Sequence, residues 1–195
     1  MTKYTFCIGL ILLAISANGQ MKQVTTSANK EFLLSTKSLV TKEKENVVVS
    51  IAPNTTYQSV KGWGYALTGG SAKLLLQLSK KQRVALLKDI FTRQGIGVNY
   101  IRISMGASDL DEKVSSYDDM APGQTDPTLA HFNLGYDTLY LIPVLKEIIA
   151  LHPGIQIMAS PWSPPVWMKD NNHSMGGHLL PQYYQVYANY FLKYL

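Results

Sequence analysis

Short apolar runs alternate with apolar stripes of helical period along most of this chain, and that alternation limits the folds open to it. Gln58-Ser59-Val60 predicts a strand, and Thr68-Gly69-Gly70-Ser71 opens a short helix through Leu78. Ser79 predicts the N-cap of a second helix, with Gln82 completing a capping box. Val84, Leu87 and Phe91, with Leu86 and Ile90 beside them, supply its buried stripe. Gly95-Ile96-Gly97 then turns the chain into a strand over 98–104. A long polar loop, from Gly106 to about Tyr136, precedes a helix from about Leu141 to Leu151. Pro143 is tolerated in its first turn, and Ile142, Leu145 and Ile149 line one face. His152-Pro153-Gly154 stops that helix, and Ile155 to Ala159 reads as the next strand. A last helix starts at Pro181-Gln182 and carries Tyr183, Tyr187, Tyr190, Phe191 and Leu195 on its apolar face. Strands alternating with helices in this way imply parallel strands joined by crossover helices.

Two architectures compete: a (β/α)8 barrel and an open doubly wound sheet. A barrel takes about 250 residues, and only its first three βα units are visible here. No glycine-rich phosphate loop follows the first strand, as a dinucleotide-binding open sheet would require. Long loops with aromatics and carboxylates follow the strands instead, on the side where barrels keep their sites. The expected fold is α/β, the N-terminal part of a (β/α)8 barrel over 57–195.

Ahead of it, residues 21–45 are polar apart from Phe32-Leu33-Leu34, which fits an edge strand of a small β element or a loose N-terminus. Val47-Val48-Val49-Ser50-Ile51, ended by Pro53-Asn54, predicts a strand and a turn. Residues 1–20 read as an export signal. Lys3 precedes an apolar run from Phe6 to Ile15 that is too short to span a bilayer, and small residues follow. Cys7, the one cysteine, falls inside it, so the mature chain is expected to hold neither disulfide nor thiol nucleophile. No later apolar run reaches transmembrane length, so an exported protein without a transmembrane anchor is expected. The net charge of +5 comes from basic residues scattered through Lys22–Lys44, Lys80–Arg93 and single sites. That pattern describes solvated faces, and no nucleic-acid partner is expected.

The chain's most telling stretch is Met158-Ala159-Ser160-Pro161-Trp162-Ser163-Pro164-Pro165-Val166-Trp167-Met168-Lys169, a strand that stops abruptly and presents two tryptophans. Flat aromatic faces stack on the C–H face of a sugar ring, so Trp162 and Trp167 at a site mouth suit carbohydrate. Both could equally be packing residues, since tryptophan is usually largely buried. Trp63 and Tyr65 carry the same two readings. Arg102 sits mid-strand, either snorkelling from an edge or pointing into a barrel lumen, where a charge must be paired. Asp109, just past that strand, can accept hydrogen bonds from sugar hydroxyls or be an ordinary solvated residue. The tyrosine stripe of the last helix reads as core. His131, His152, His173 and His178 fit no zinc spacing, and the acidic run at Asp109, Asp111 and Glu112 lacks the glycine placement of a calcium loop. No serine sits in a nucleophile elbow. Neither a metal nor a cofactor is expected.

Taken together, these motifs resemble glycoside hydrolase family 30, which includes glucosylceramidases, β-1,6-glucanases and β-xylosidases. The resemblance rests on Val60-Lys61-Gly62-Trp63-Gly64, Leu67-Thr68, Gly95-Ile96-Gly97-Val98-Asn99-Tyr100-Ile101-Arg102, Ala107-Ser108-Asp109 and Ala159 to Lys169, in the family's order. It implies a (β/α)8 barrel with a side β-domain, to which 21–56 would contribute. It also implies a retaining mechanism with glutamates at the ends of the fourth and seventh strands. By similarity, Asp109 and Trp162 would line the subsite of the cleaved sugar, with Trp167 and Trp63 as further substrate contacts and Arg102 near the nucleophile. Two departures, Gly69 after Thr68 and Tyr65 in place of a small residue, lean toward the β-glucanase-like branch.

A retaining glycosidase needs two carboxyl groups about 5 Å apart. The glutamates here are Glu31, Glu43, Glu45, Glu112 and Glu147, and none is expected at a barrel strand end. The expectation is therefore the N-terminal part of an exported retaining β-glycosidase acting on carbohydrate or glycolipid. It would be inactive alone, with both catalytic glutamates beyond Leu195. The alternatives are a non-catalytic carbohydrate-binding remnant and an open-sheet binding protein.

Overall fold

The computed structural model describes residues 22–31, 33–38 and 50–195. The chain divides between Thr56 and Tyr57 into two compact units. In the first, β1 (Lys22–Thr25) and β2 (Ser35–Ser38) pair antiparallel, Lys22 opposite Ser38 and Thr25 opposite Ser35. The segment expected to direct export, with Cys7, and Phe32 and Val47-Val48-Val49 of the expected strands, lie outside the described residues. Ser50 and Ile51 carry no strand, and the turn at Pro53-Asn54 is closed by the Thr55 N–H on the Ala52 carbonyl at 3.0 Å.

The second unit is built on a parallel sheet of β3 (Ala66–Leu67), β4 (Tyr100–Met105) and β5 (Gln156–Pro161), in that order. Helices α1 (Gly69–Gln77) and α2 (Lys80–Phe91) follow β3, and α3 (Tyr136–Leu139) and α4 (Leu141–Leu151) follow the long loop after β4. Past β5, α5 (Tyr184–Tyr194) closes the described chain. These are three consecutive βα units of a barrel. The strand expected over 58–60 does not form: those residues are exposed, with no face to bury. Pairing begins further on, where the Trp63 carbonyl accepts the N–H groups of Asn99 and Tyr100 at 3.1 and 3.2 Å. Gly64 makes that approach possible, because a Cβ there would fall 1.5 Å from the Tyr100 carbonyl oxygen.

Local signals set the helix starts. The Ser71 N–H bonds to Thr68 Oγ1 at 3.2 Å at the head of α1. Ser79 and Gln82 exchange the reciprocal bonds of a capping box at the head of α2. Leu87 and Phe91 turn inward as expected, while Leu86 faces out. In α4 the buried line is Leu141, Val144 and Ile148, one position earlier than expected, and Ile149 is exposed. The helix is apolar at both sets of positions, so its period is satisfied by either line and packing on the sheet decides.

Two clusters hold the unit. Leu67, Val98, Ile101 and Ile103 pack against Leu87, Phe91, Val144 and Ile148 between sheet and helices. Met105, Tyr117, Leu129, Trp167, Met168 and Tyr190 form a second cluster involving the β4–α3 loop and α5. Tyr187, Tyr190 and Tyr194 of α5 pack into the second cluster while Tyr184 is exposed; Tyr190 is fully buried and its hydroxyl accepts the Tyr117 N–H at 3.0 Å. Leu195, expected on the same face, is exposed.

Candidate active site

Alternation along β4 sends Ile101, Ile103 and Met105 into buried packing and leaves Arg102 free to bond across the other face. Arg102 pairs in register with Met158, and its side chain reaches Ser160 on β5. Nε and Nη2 donate to Ser160 Oγ at 2.9 and 2.7 Å. Among the described residues no carboxylate forms an ion pair with this half-buried guanidinium.

Asp109 stands exposed on a turn just past β4. The turn is held by its neighbours: Asp111 Oδ2 accepts the N–H and hydroxyl of Ser108 at 2.7 and 2.8 Å. Trp162 directly follows Pro161, the last residue of β5, and is partly exposed. Since Met105 pairs with Pro161, both residues come to the carboxyl ends of adjacent parallel strands. Barrels keep their sites at that end.

Two expected contacts are placed elsewhere. Trp167 is 6% exposed, its Nε1 donates to the Asp118 carbonyl at 2.8 Å, and its ring meets Tyr183 edge-on at 4.9 Å. It is a packing residue here, with no free face for a sugar. Trp63 is 75% exposed, but its carbonyl bonds the residues that open β4, at the amino end of the strands.

Other groups were not singled out from the sequence. Lys169 is buried, and its Nζ donates to the Ser174 carbonyl at 2.9 Å and reaches Ser163 Oγ at 3.4 Å, tying down the loop after β5. Burial pulls its pKa below the ordinary lysine value. The Tyr117 hydroxyl donates to Asp137 Oδ2, and burial pushes the Asp137 carboxyl up to about 6 despite that bond. Asp118 is buried with neither carboxylate oxygen hydrogen-bonded among the described residues, and burial, aided by the charge of Asp126, pushes it up to about 6. Only the polar run around 116–119 hinted at these, and single-sequence pattern cannot say which of its acids turns inward.

Two of the described glutamates serve ion pairs, Glu112 in the loop after β4 and Glu147 on α4, and Glu31 accepts a hydrogen bond from Asn29 in the first unit. Glu112 binds Lys73 at 2.5 Å and Glu147 binds Arg83 at 2.9 Å. His131 pairs with Asp126 and His178 with Asp170. Among the described residues, no three His, Cys, Asp or Glu gather as metal ligands, and no helix is long and apolar enough to cross a membrane.

Residues 60–195 match the glycosyl hydrolase family 30 TIM-barrel domain. An endo-1,6-β-D-glucanase of Neurospora crassa is 37% identical over 154 residues, covering 76% of this chain and 32% of that protein. The lysosomal acid glucosylceramidase of Mus musculus is 34% identical, covering 76% of this chain and 30% of that protein. The solved endo-β1,6-glucanase BT3312 superposes with a TM-score of 0.69 at 32% identity, covering 87% of this chain and 38% of that one. The chain thus spans about a third of the length of the curated relatives it matches. With the parallel βα units and these relatives in agreement, the chain belongs to glycosyl hydrolase family 30.

Proposed function

We propose that this chain forms the sugar-holding wall of an exported retaining β-glycosidase acting on β-1,6-linked glucan. The carrying observation is that Asp109 and Trp162 stand at the carboxyl ends of neighbouring parallel strands, above the Arg102–Ser160 pair. In this reading the Trp162 ring stacks on the sugar at the cleavage point, and Asp109 accepts hydrogen bonds from its hydroxyls. Arg102 holds a positive charge beside the nucleophile. A half-buried guanidinium that bonds, among the described residues, only to a neutral hydroxyl suits a carboxylate arriving from another strand of the barrel. In this reading that carboxylate and the acid/base are glutamates on other strands, while Glu112, in the loop after β4, and Glu147, on α4, are each held in an ion pair. The β-1,6-glucan preference is supported by the endo-1,6-glucanase relatives and by Gly69 and Tyr65 in the β3 region.

The test pairs binding with turnover. The 195-residue product is expected to bind gentiotriose and to release no glucose from β-1,6-glucan or aryl β-glucosides. Turnover above blank by this chain would overturn the division between wall and catalyst. Binding of unchanged affinity and stoichiometry after Trp162→Ala together with Asp109→Ala would overturn the site itself.

A further inference from the structure

A cavity of about 240 Å³ lies where the head of α1, the β4–α3 loop and α3 meet. Neither Arg102, Asp109, Ser160 nor Trp162 lines it. Its walls differ in kind from the interlayer core. The Tyr136 ring is half exposed and stacks on Tyr140, with centroids 6.3 Å apart and planes within 8°. Lys73 Nζ lies 5.7 Å from the Tyr140 ring centroid and bonds Glu112 at 2.5 Å. Asp137 is 8% exposed. Its Oδ2 is taken by the Tyr117 hydroxyl, and its Oδ1 has no partner among the described residues.

We propose that this cavity is a second, non-catalytic sugar site that takes one pyranose ring of a glucan chain against Tyr136. The chemistry of the walls selects that class of ligand. The lining mixes both signs, Asp111, Glu112, Asp119 and Asp137 with Lys73 and Lys113, and Lys73 is paired with Glu112. A neutral polyhydroxylated ring uses both signs: its hydroxyls donate to Asp137 Oδ1 and accept from Lys73. The tyrosine pair offers an apolar face with polar ends, the arrangement that suits the C–H face of a sugar. An ordered polar group with an unused acceptor inside a cavity is the kind of convergent contact that fixes orientation in ligand sites. The cavity holds a single ring and not an oligosaccharide, so the site anchors a chain and does not thread it.

The choice of a glucan rests on the proposed function, and the test separates the two. Gentiobiose is titrated by calorimetry into the protein and its Trp162→Ala, Tyr136→Ala and Lys73→Met variants. Magnetisation transfer from sugar protons to tyrosine ring protons is recorded in parallel. Two sites are expected in the parent. Tyr136→Ala and Lys73→Met should each weaken one of them tenfold or more and leave the other. Trp162→Ala should do the reverse. Loss of all binding in Trp162→Ala, or unchanged stoichiometry in both cavity variants, overturns the proposal and leaves the proposed function standing. Tyr136-dependent binding together with no effect of Trp162→Ala supports the cavity and counts against the catalytic reading. Should Tyr136→Ala fail to fold, Lys73→Met and the transfer experiment decide.

Discussion

Arg102 on β4 aims two donors, Nε and Nη2, at one oxygen of Ser160 on β5, at 2.9 and 2.7 Å. A hydrogen bond to a charged group contributes about 1.5–3 kcal/mol, and this pair ties neighbouring strands on the face away from the helices. Partial exposure of Arg102 puts the expected loss for Ser160→Ala at the low end, about 1–2 kcal/mol. Arg102→Lys should cost as much, because an ammonium cannot reproduce the fork. Urea denaturation of each variant measures both losses. Unchanged midpoints would show that the pair contributes nothing to folding.

The two tryptophans of the β5 loop are expected to part company on mutation. Trp162 belongs to neither core cluster, so Trp162→Ala should leave the thermal midpoint within a few degrees while removing the gentiotriose site at the strand ends and leaving any binding at the Tyr136 cavity. Trp167 fills the second cluster and bonds the Asp118 carbonyl. Trp167→Ala should cost about 3–5 kcal/mol, read by denaturant melting, and affect binding only through stability. Equal thermal losses would contradict the assignment.

Gly64→Ala is expected to be the most damaging alanine substitution among the described glycines. The added methyl would sit 1.5 Å from the Tyr100 carbonyl oxygen, and backbone cannot move aside as a flexible side chain can. Separating the two segments breaks the bonds of Trp63 and Tyr65 to the start of β4. A loss of at least about 4 kcal/mol, in the range reserved for named structural faults, should appear as little folded protein on expression. Neighbouring Tyr65→Phe should fold normally.

Much of this was legible because it is local. Ser79 with Gln82 fixes the head of α2, and Leu141 to Leu151 is bounded by a proline-tolerant first turn and a His-Pro-Gly stop. The family motifs likewise located the β4 and β5 ends. What escaped depends on which face meets a distant partner. Leu141-Ile142, Val144-Leu145 and Ile148-Ile149 offer two equivalent stripes, and only the sheet chooses between them. Trp162 and Trp167 look alike in sequence, yet one follows the strand directly while the other sits in a helical turn that folds back under Asp118. In the run Tyr117-Asp118-Asp119, only contacts with α5 and the β5 loop decide that Asp118 goes inside.

That inward turn makes stability depend on pH in a specific direction. Asp118 is buried with both oxygens unpartnered among the described residues, and its pKa rises from the ordinary 3.8 to about 6. The charges facing it are Asp126 and Asp119, which raise it, and His131 and Lys193, which lower it. A carboxyl whose folded pKa exceeds its unfolded value holds its proton more tightly when folded. Its unfavourable contribution is therefore absent below about pH 4, grows as pH rises toward 6, and is constant above. Asp126, held below its ordinary value chiefly by the His131 N–H, acts oppositely and loses its stabilisation as acid is added. Asp118→Asn isolates the first effect. It should leave the urea midpoint at pH 4 nearly unchanged and raise stability at pH 7.5, by about 1–2 kcal/mol once solvent screening is allowed for. A gain of equal size at both pH values would mean that packing, and not the buried charge, is what the substitution relieves.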